Sequence, residues 1–353
     1  MSATITIGNR EIGEDHSVFI IAELSANHHQ DFEQAVTLIR AAADAGADAI
    51  KLQTYTPDTM TIDCRNEYFN IKGTIWEGRN LYDLYGDAYT PWDWQPKLKE
   101  IADDLGLILF STPFDTSAVD FLEDMDVPAY KIASFEVVDL PLIRYIASKG
   151  KPIIMSTGMA SLSEIEEAVD AIRAEGNQQL SLLKCTSAYP ATPDEMNLRT
   201  IPDLAAQFGV PVGLSDHTLD IVVPIAAVSL GARLIEKHLT LSRNDPGPDS
   251  AFSLEPAEFK AMVDAVRVTE RAMGRVHYDG ADSEQKSRAF RRSLFVVQDM
   301  EAGAVFTAQN VRSIRPANGL APKFLPDVIG RTITRSVPRG TPLLWDMVLA
   351  HTE

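Results

Sequence analysis

Eight short apolar segments, each followed by a stretch with helical amphipathicity, predict an α/β fold: a TIM (β/α)8 barrel with a small C-terminal domain. Three observations carry the prediction. Eight is the strand count that closes such a barrel. The C-terminal ends of these segments are polar although their bodies are not, as expected where a barrel carries its chemistry. Beyond a polar, charged stretch at 274–292 the alternation stops, and short apolar runs punctuated by glycine take over.

The strand candidates are Val18–Glu23, Ala49–Thr54, Leu107–Ser111, Ala129–Ala133, Pro152–Ser156, Leu180–Cys185, Val212–Ser215 and Arg233–His238. Ahead of them, Thr4–Ile12 reads as a hairpin that plugs the N-terminal mouth of the barrel. Ala35, Leu38, Ile39 and Ala42 form one helical face ending at Gly46. Ser163 and Glu166 have capping-box spacing ahead of Ile165, Ala168, Val169 and Ile172, and Gly176 ends that helix. The connection from Tyr55 to Asp93 is too long for a plain loop. Its density of Trp76, Tyr82, Tyr85, Tyr89 and Trp92 suits either a cover over a substrate or a surface helix packing its own aromatics. A helix over 257–273 closes the barrel, giving domains at 1–280 and 293–353 joined by an arm at 281–292. In the small domain Gly303 and Gly340 are each followed by an apolar residue at +3 and Val at +8, a weak internal repeat.

Composition narrows the function. The 353 residues are 45% hydrophobic and 23% charged, which excludes a disordered chain. Lys+Arg 32 against Asp+Glu 50 leaves −18, a surface that repels nucleic acid and anionic lipid. The longest apolar stretch, Ile221–Ala232, contains Pro224 and falls short of the roughly 20 residues a membrane span needs. The N-terminus has neither a basic nor an apolar signal region, so a cytoplasmic protein is expected. Cys64 and Cys185 lie in no zinc or redox spacing and read as reduced thiols, Cys185 as a buried strand-end group rather than a nucleophile.

Strand alternation groups the polar strand ends. Lys51 and Gln53 share a face, as do Ser215 and His217, and Glu236 and His238. The last two strands are neighbours, so His217 and His238 converge. Two imidazoles without a third obligatory protein ligand suit a divalent cation, Mn2+, Co2+ or Mg2+, that keeps positions open for water and substrate oxygens. Lys51 and Lys131, with serine and threonine hydroxyls at the intervening strand ends, suit a phosphate and a carboxylate. Lys131 or Lys237 could instead form a Schiff base, since a desolvated lysine is a nucleophilic amine.

Ile20-Ile-Ala-Glu-Leu-Ser-Ala-Asn-His28, Ile50-Lys-Leu-Gln-Thr54, Ser111-Thr-Pro-Phe114, Tyr130-Lys-Ile-Ala-Ser134, Ser156-Thr-Gly-Met159, Gly213-Leu-Ser-Asp-His-Thr218, Glu236-Lys-His-Leu-Thr240 and Gly247-Pro-Asp249 resemble the sialic acid synthase family. Arg315-Pro-Ala-Asn-Gly319 and the glycine repeat resemble its C-terminal antifreeze-like (SAF, β-clip) domain. The resemblance implies a transferase that condenses phosphoenolpyruvate with an open-chain amino sugar to a nonulosonic acid and phosphate. Thr74 and Ser187 stand where N-acetylmannosamine users carry Asn, and the segments at 73–78, 81–85, 89–94 and 247–256 look most like the branch making pseudaminic acid. A 2,4-diacetamido-2,4,6-trideoxy-L-altrose is then the expected sugar, with N-acetylneuraminic or legionaminic acid synthesis as the alternative.

The resemblance also implies roles. His217 and His238 hold the metal; Lys51, Thr112, Lys131, Ser134, Ser156, Ser187 and Ser215 hold phosphate and carboxylate. Glu136 is the candidate for proton transfer to or from the attacking water, Glu23 and Asp249 position sugar hydroxyls, Gln53 binds substrate, and Tyr189 shapes the pocket. Arg315 reaches the sugar from the partner of a domain-swapped homodimer. A non-catalytic sugar- or ice-binding protein, suggested by the antifreeze-like tail alone, has no use for paired histidines and lysines at strand ends.

Overall fold

The structure, a computed structural model, describes residues 4–349. By its internal contacts the chain divides after Gly274 into two units. In the first, β1 (Ile5–Ile7) and β2 (Arg10–Ile12) form an antiparallel hairpin. Eight parallel strands then close a barrel: β3 (Phe19–Glu23), β4 (Ala49–Thr54), β5 (Ile108–Pro113), β6 (Tyr130–Ile132), β7 (Ile153–Ser156), β8 (Leu180–Cys185), β9 (Val212–Asp216) and β10 (Leu234–His238). Closure is made by β10 pairing with β3, Leu234 opposite Phe19 through His238 opposite Glu23.

The strands are apolar on both faces because both are buried. Outward residues such as Ile20, Ile50 and Leu182 meet the helices, whose apolar faces supply Leu38, Ile39, Ile143, Val169 and Phe259. Inward residues of the lower barrel, Phe19, Ile21, Ala49, Phe110, Ala129, Ile154, Leu183 and Leu234, cluster with Ile5, Ile7 and Ile12 of the hairpin. The hairpin therefore closes the lower end, as its sequence predicts. Asp48 ties the hairpin to the outer layer, pairing with Arg10 at 2.5 Å and Arg267 at 2.8 Å.

Two local expectations change. The capping box of helix Leu162–Ala174 is Ser161 with Glu164, not Ser163 with Glu166. Both pairs have the same spacing, and the earlier start adds two residues of helix, each with its own backbone hydrogen bond. The long connection after β4 is not structureless: it holds helices Pro57–Met60 and Leu81–Ala88 with short turns at Glu67–Phe69 and Trp92–Trp94. Tyr55 packs edge-on to Tyr85 and Phe114, and the Trp76 indole N–H donates to the Pro248 carbonyl at 2.9 Å, so the aromatics pack against one another and also across the barrel mouth.

The second unit pairs β11 (Ser293–Val296) antiparallel with β12 (Val311–Ile314), and has its own core of Leu294, Val296, Phe306, Val311, Ile333 and Leu343 among others. Single bridges Met300↔Val337 and Val305↔Thr332 join its two repeat halves. Gly303 and Gly340 both have φ near +90° (88° and 90°), a conformation that explains glycine at equivalent points of each half. Among the described residues no helix is long and apolar enough to cross a membrane.

Candidate active site

The upper barrel interior is built from charges. Lys51 on β4 places Nζ 3.0 Å from Glu236 Oε1 on β10 and 3.1 Å from Glu23 Oε2 on β3. Lys131 on β6 lies 3.7 Å from the same Glu236 oxygen and donates to Ser156 Oγ at 2.7 Å. Ser215 Oγ donates to Glu236 Oε1 at 3.0 Å, and Gln53 Nε2 donates to Glu23 Oε1 at 2.9 Å. Lys51, Lys131, Glu23 and Glu236 are all buried.

Burial sets the protonation states. It pushes Lys131 down to about 8, against the pull of Glu236. It would lower Lys51 as well, but Glu23 and Glu236 outweigh it and hold that amine above its ordinary value. Burial raises Glu23, whereas in Glu236 it is overcome by Lys131 and Lys51, which keep that carboxyl below the usual range. Glu236 Oε2 and the Thr112 hydroxyl are buried without hydrogen-bond partners. Buried ions with unmet valences contribute little to stability, so this cluster reads as a site prepared for a polar ligand.

Above it stand the two histidines, ring centroids 5.3 Å apart and edge-on. His217 Nδ1 lies 3.0 Å from the Thr186 carbonyl, which only accepts, so Nδ1 carries a proton and Nε2 is the nitrogen turned away from it; burial would lower the ring's pKa, but Cys185 and the Thr186 carbonyl outweigh it and raise it. His238 Nδ1 is buried without a partner, and burial, then the neighbouring His217, drives the ring well below its ordinary pKa, so it is neutral. His217 Nε2, turned from the carbonyl, and the orphaned His238 Nδ1 fit a divalent cation, which would displace any proton held there. Among the described residues no cluster of three or more histidine, cysteine or carboxylate groups completes a closed cage, so the pair fits an ion with open positions rather than a structural metal.

Around the rim, the Gly158 N–H donates to Ser134 Oγ at 3.0 Å. A Cβ at Gly158 would sit 2.2 Å from Ser187 Oγ and 2.8 Å from Ser134 Oγ, so only glycine lets these hydroxyls converge. Glu136, in the turn Ser134–Val138, has a buried oxygen without a partner; burial pushes its carboxyl up to about 7, against the nearby Lys131. Asp249 accepts from the Ser25 hydroxyl, and burial raises it too. Tyr189 packs 4.4 Å from His217, Phe252 5.1 Å from His238, and Trp76 5.8 Å from Tyr189, a continuous aromatic wall beside the imidazoles.

Apart from Lys237, the barrel residues given a role from the sequence are carried by the strand ends and loops at this mouth. The Lys237 amine points away from the barrel axis, held by Asp216 and Thr218, and cannot reach a substrate as a Schiff-base lysine. Arg315 is exposed in the second unit, where the ion pair among the described residues joins Arg335 to Asp346 instead. Sequence reasoning gave Glu236 no task, although it shares a strand face with His238. It also passed over Phe252 and the contact of Cys185 with His217, which lowers that thiol to about 6 against the opposing effect of burial. Phe252 meets Trp76, Tyr189, His217 and His238, from three loops and the end of β10 that only the fold brings together.

Fold and site together define a (β/α)8-barrel synthase scaffold with a buried floor of lysines and carboxylates and an imidazole pair above it. The NeuB family matches residues 38–278 and the SAF domain residues 291–349, and the chain belongs to the NeuB family. It is 46% identical over 337 residues to a pseudaminic acid synthase of Campylobacter jejuni, covering 96% of this chain and 98% of that protein. A pseudaminic acid synthase of Helicobacter pylori is 44% identical, covering 93% and 96%. The crystal structure of an N-acetylneuraminic acid synthetase of Leptospira borgpetersenii in complex with citrate superposes with a TM-score of 0.73 at 34% identity, covering 81% of this chain and 95% of that one.

Proposed function

We propose that the chain condenses phosphoenolpyruvate, 2,4-diacetamido-2,4,6-trideoxy-L-altrose and water to pseudaminic acid and phosphate, acting in the cytoplasm. The observation that carries this is the juxtaposition of His217 and His238 with the buried Lys51–Glu236–Lys131 cluster: a place for an aldehyde beside a place for two anionic groups. Lys51 and Lys131, with the hydroxyls of Thr112, Ser134, Ser156, Ser187 and Ser215, take the phosphate and carboxylate. A divalent cation, Mn2+, Co2+ or Mg2+, on the two histidines would polarise the sugar aldehyde.

With both substrates held, C3 of phosphoenolpyruvate attacks the aldehyde carbon and positive charge develops at C2. The aldehyde oxygen takes up a proton as the C–C bond forms; water adds at C2 with loss of one proton to Glu136, and the resulting C2 hydroxyl loses its other proton as the C2–O bond to phosphate breaks, leaving the C2 ketone and phosphate. A carboxyl raised to about 7 suits that transfer. Glu23 and Asp249 accept from sugar hydroxyls, Gln53 orients Glu23, and the wall of Tyr189 and Trp76 faces the acetamido and deoxy carbons. Phosphate release measured against a panel of open-chain amino sugars tests the reading. The diacetamido altrose sugar is expected to exceed N-acetylmannosamine by about 10^2-fold or more in kcat/KM. Equal rates, or preference for the legionaminic precursor, would overturn the substrate and spare the family.

The arm 281–292 is proposed to carry the small domain to a partner's barrel in a homodimer, where Arg315 meets the sugar. Mixing inactive Arg315→Ala and His217→Ala subunits then restores roughly a quarter of full activity, because half the dimers are mixed and each has one intact site. No recovery on exchange would show that Arg315 does not act from the partner.

A further inference from the structure

Between β9 and β10, on the side of the sheet facing the helices, lies an ion pair that the reaction does not use. Lys237 is fully buried, with Nζ 2.5 Å from Asp216 Oδ2, and it donates as well to the backbone carbonyl of Thr218. The Asp216 carboxylate accepts from the Thr218 N–H at 2.9 Å and from its hydroxyl at 3.0 Å. Both backbone polar groups of Thr218 are therefore bound by one buried pair. Lys237 and Asp216 are themselves opposite one another in the β9–β10 ladder.

What this clamp encloses is the imidazole pair. His217 is the residue between Asp216 and Thr218, so its backbone is held on both sides, and His238 follows Lys237 directly. As a source of stability the pair is poorly chosen, because desolvating an ammonium and a carboxylate largely cancels their attraction, and two apolar side chains would join sheet to helices as well. Apolar side chains could not, however, bind the N–H and C=O of Thr218. That is the one thing the charges do that packing cannot.

We propose that Lys237 and Asp216 are positioning residues, a clamp outside the barrel that sets the separation and facing of the His217 and His238 imidazoles inside it. The proposal rests on the reading of those histidines as a cation site. It also assigns a purpose to two residues of the Ser-Asp-His-Thr and Glu-Lys-His motifs that the chemistry leaves unused.

The test uses the full-length chain and three variants, Lys237→Met, Asp216→Leu and the double substitution. Each single variant strands a buried charge and is expected to melt well below the wild type. The double variant strands none and is expected to recover most of the lost Tm, while its Kd for Mn2+, measured by electron paramagnetic resonance without substrates, stays at least about tenfold weaker. Its kcat falls with the Mn2+ affinity, and KM for phosphoenolpyruvate changes little. Recovery of Mn2+ affinity along with Tm would overturn the proposal, leaving the pair a packing feature. If wild type and His217→Ala take up Mn2+ alike, it is the cation reading that fails; the 15N resonances of the two imidazoles then decide the clamp, moving in the double variant if it positions them and unmoved if it does not. Should the double variant not fold, the same resonances in Asp216→Asn, which exchanges one acceptor oxygen for a donor, decide it in the same way.

Discussion

Followed upward along the barrel, the inward side chains change character within a single step of two residues. On β3 they run Phe19, Ile21, Glu23; on β5 Phe110, Thr112; Ala129 just before β6, then Lys131 on it; on β7 Ile154, Ser156; on β10 Leu234, Glu236, His238. Two residues of strand rise about 6.6 Å. Below that line the interior is a dry apolar cluster sealed by the hairpin; above it lie two lysines, two carboxylates and two imidazoles. The lower end holds the fold, since burying each large apolar side chain contributes roughly 1.5–3 kcal/mol. The upper end works against it, with buried oxygens of Thr112, Glu136 and Glu236 left unpartnered. One set of strands thus separates stability from chemistry by position alone, and the rigidity of the lower layer keeps the costly upper layer in place.

The largest expected effect breaks the upper end without touching the lower. His217→Ala and His238→Ala should each lower turnover by about 10^3-fold or more while Tm changes little, and a chelator should inactivate the wild type reversibly. The double variant should be little worse than either single one, because groups acting as a unit are not additive. Full activity in excess chelator would remove the cation from the scheme.

Next comes Glu136, where the two ends trade against each other. Glu136→Gln should lower kcat by about 10^2-fold or more. In the wild type kcat/KM should rise with pH around a midpoint of about 7, the value to which burial raises this carboxyl, and that limb should vanish in the variant. Stability should show the opposite sign. A carboxyl raised in the folded state binds its proton more tightly there than in the unfolded chain, so its contribution is fully present below the ordinary value of 4.5 and is lost as pH rises to about 7. Glu136→Gln should accordingly raise Tm at pH 8 and not at pH 4, by at most about 3 kcal/mol of stability.

The smallest effect on catalysis is expected from the lower end. Phe110→Ala removes a fully buried ring from the apolar cluster and should cost about 3–5 kcal/mol, read as a lower Tm. Its KM for phosphoenolpyruvate should stay near that of the wild type at temperatures where it is folded. A loss of affinity as large as the loss of stability would show that the two layers are not independent.

Much of this was legible in advance. Strand alternation alone put Lys51 with Gln53, Ser215 with His217 and Glu236 with His238, and the hairpin at Ile5–Ile12 was readable as a plug from its apolar runs. The start of helix Leu162–Ala174 was misplaced by two residues because two serines offered the same spacing. Glu236 was seen as a neighbour of His238 but not as the anion shared by Lys51 and Lys131, which lie on strands two and four places away around the closed barrel. 

By itself, then, the chain of residues determined the elements and the facing of each side chain within its own strand, because a strand's period of two is a property of local backbone geometry. Tertiary structure decided which faces meet. Only closure of β10 onto β3 brings Glu236 beside Lys51, only the crossing of the mouth brings the Trp76 indole to Pro248, and only the register of β9 against β10 turns Lys237 from a candidate amine into a clamp on Asp216. These contacts join residues far apart in sequence, and their energies depend on burial that no single segment possesses before the barrel closes.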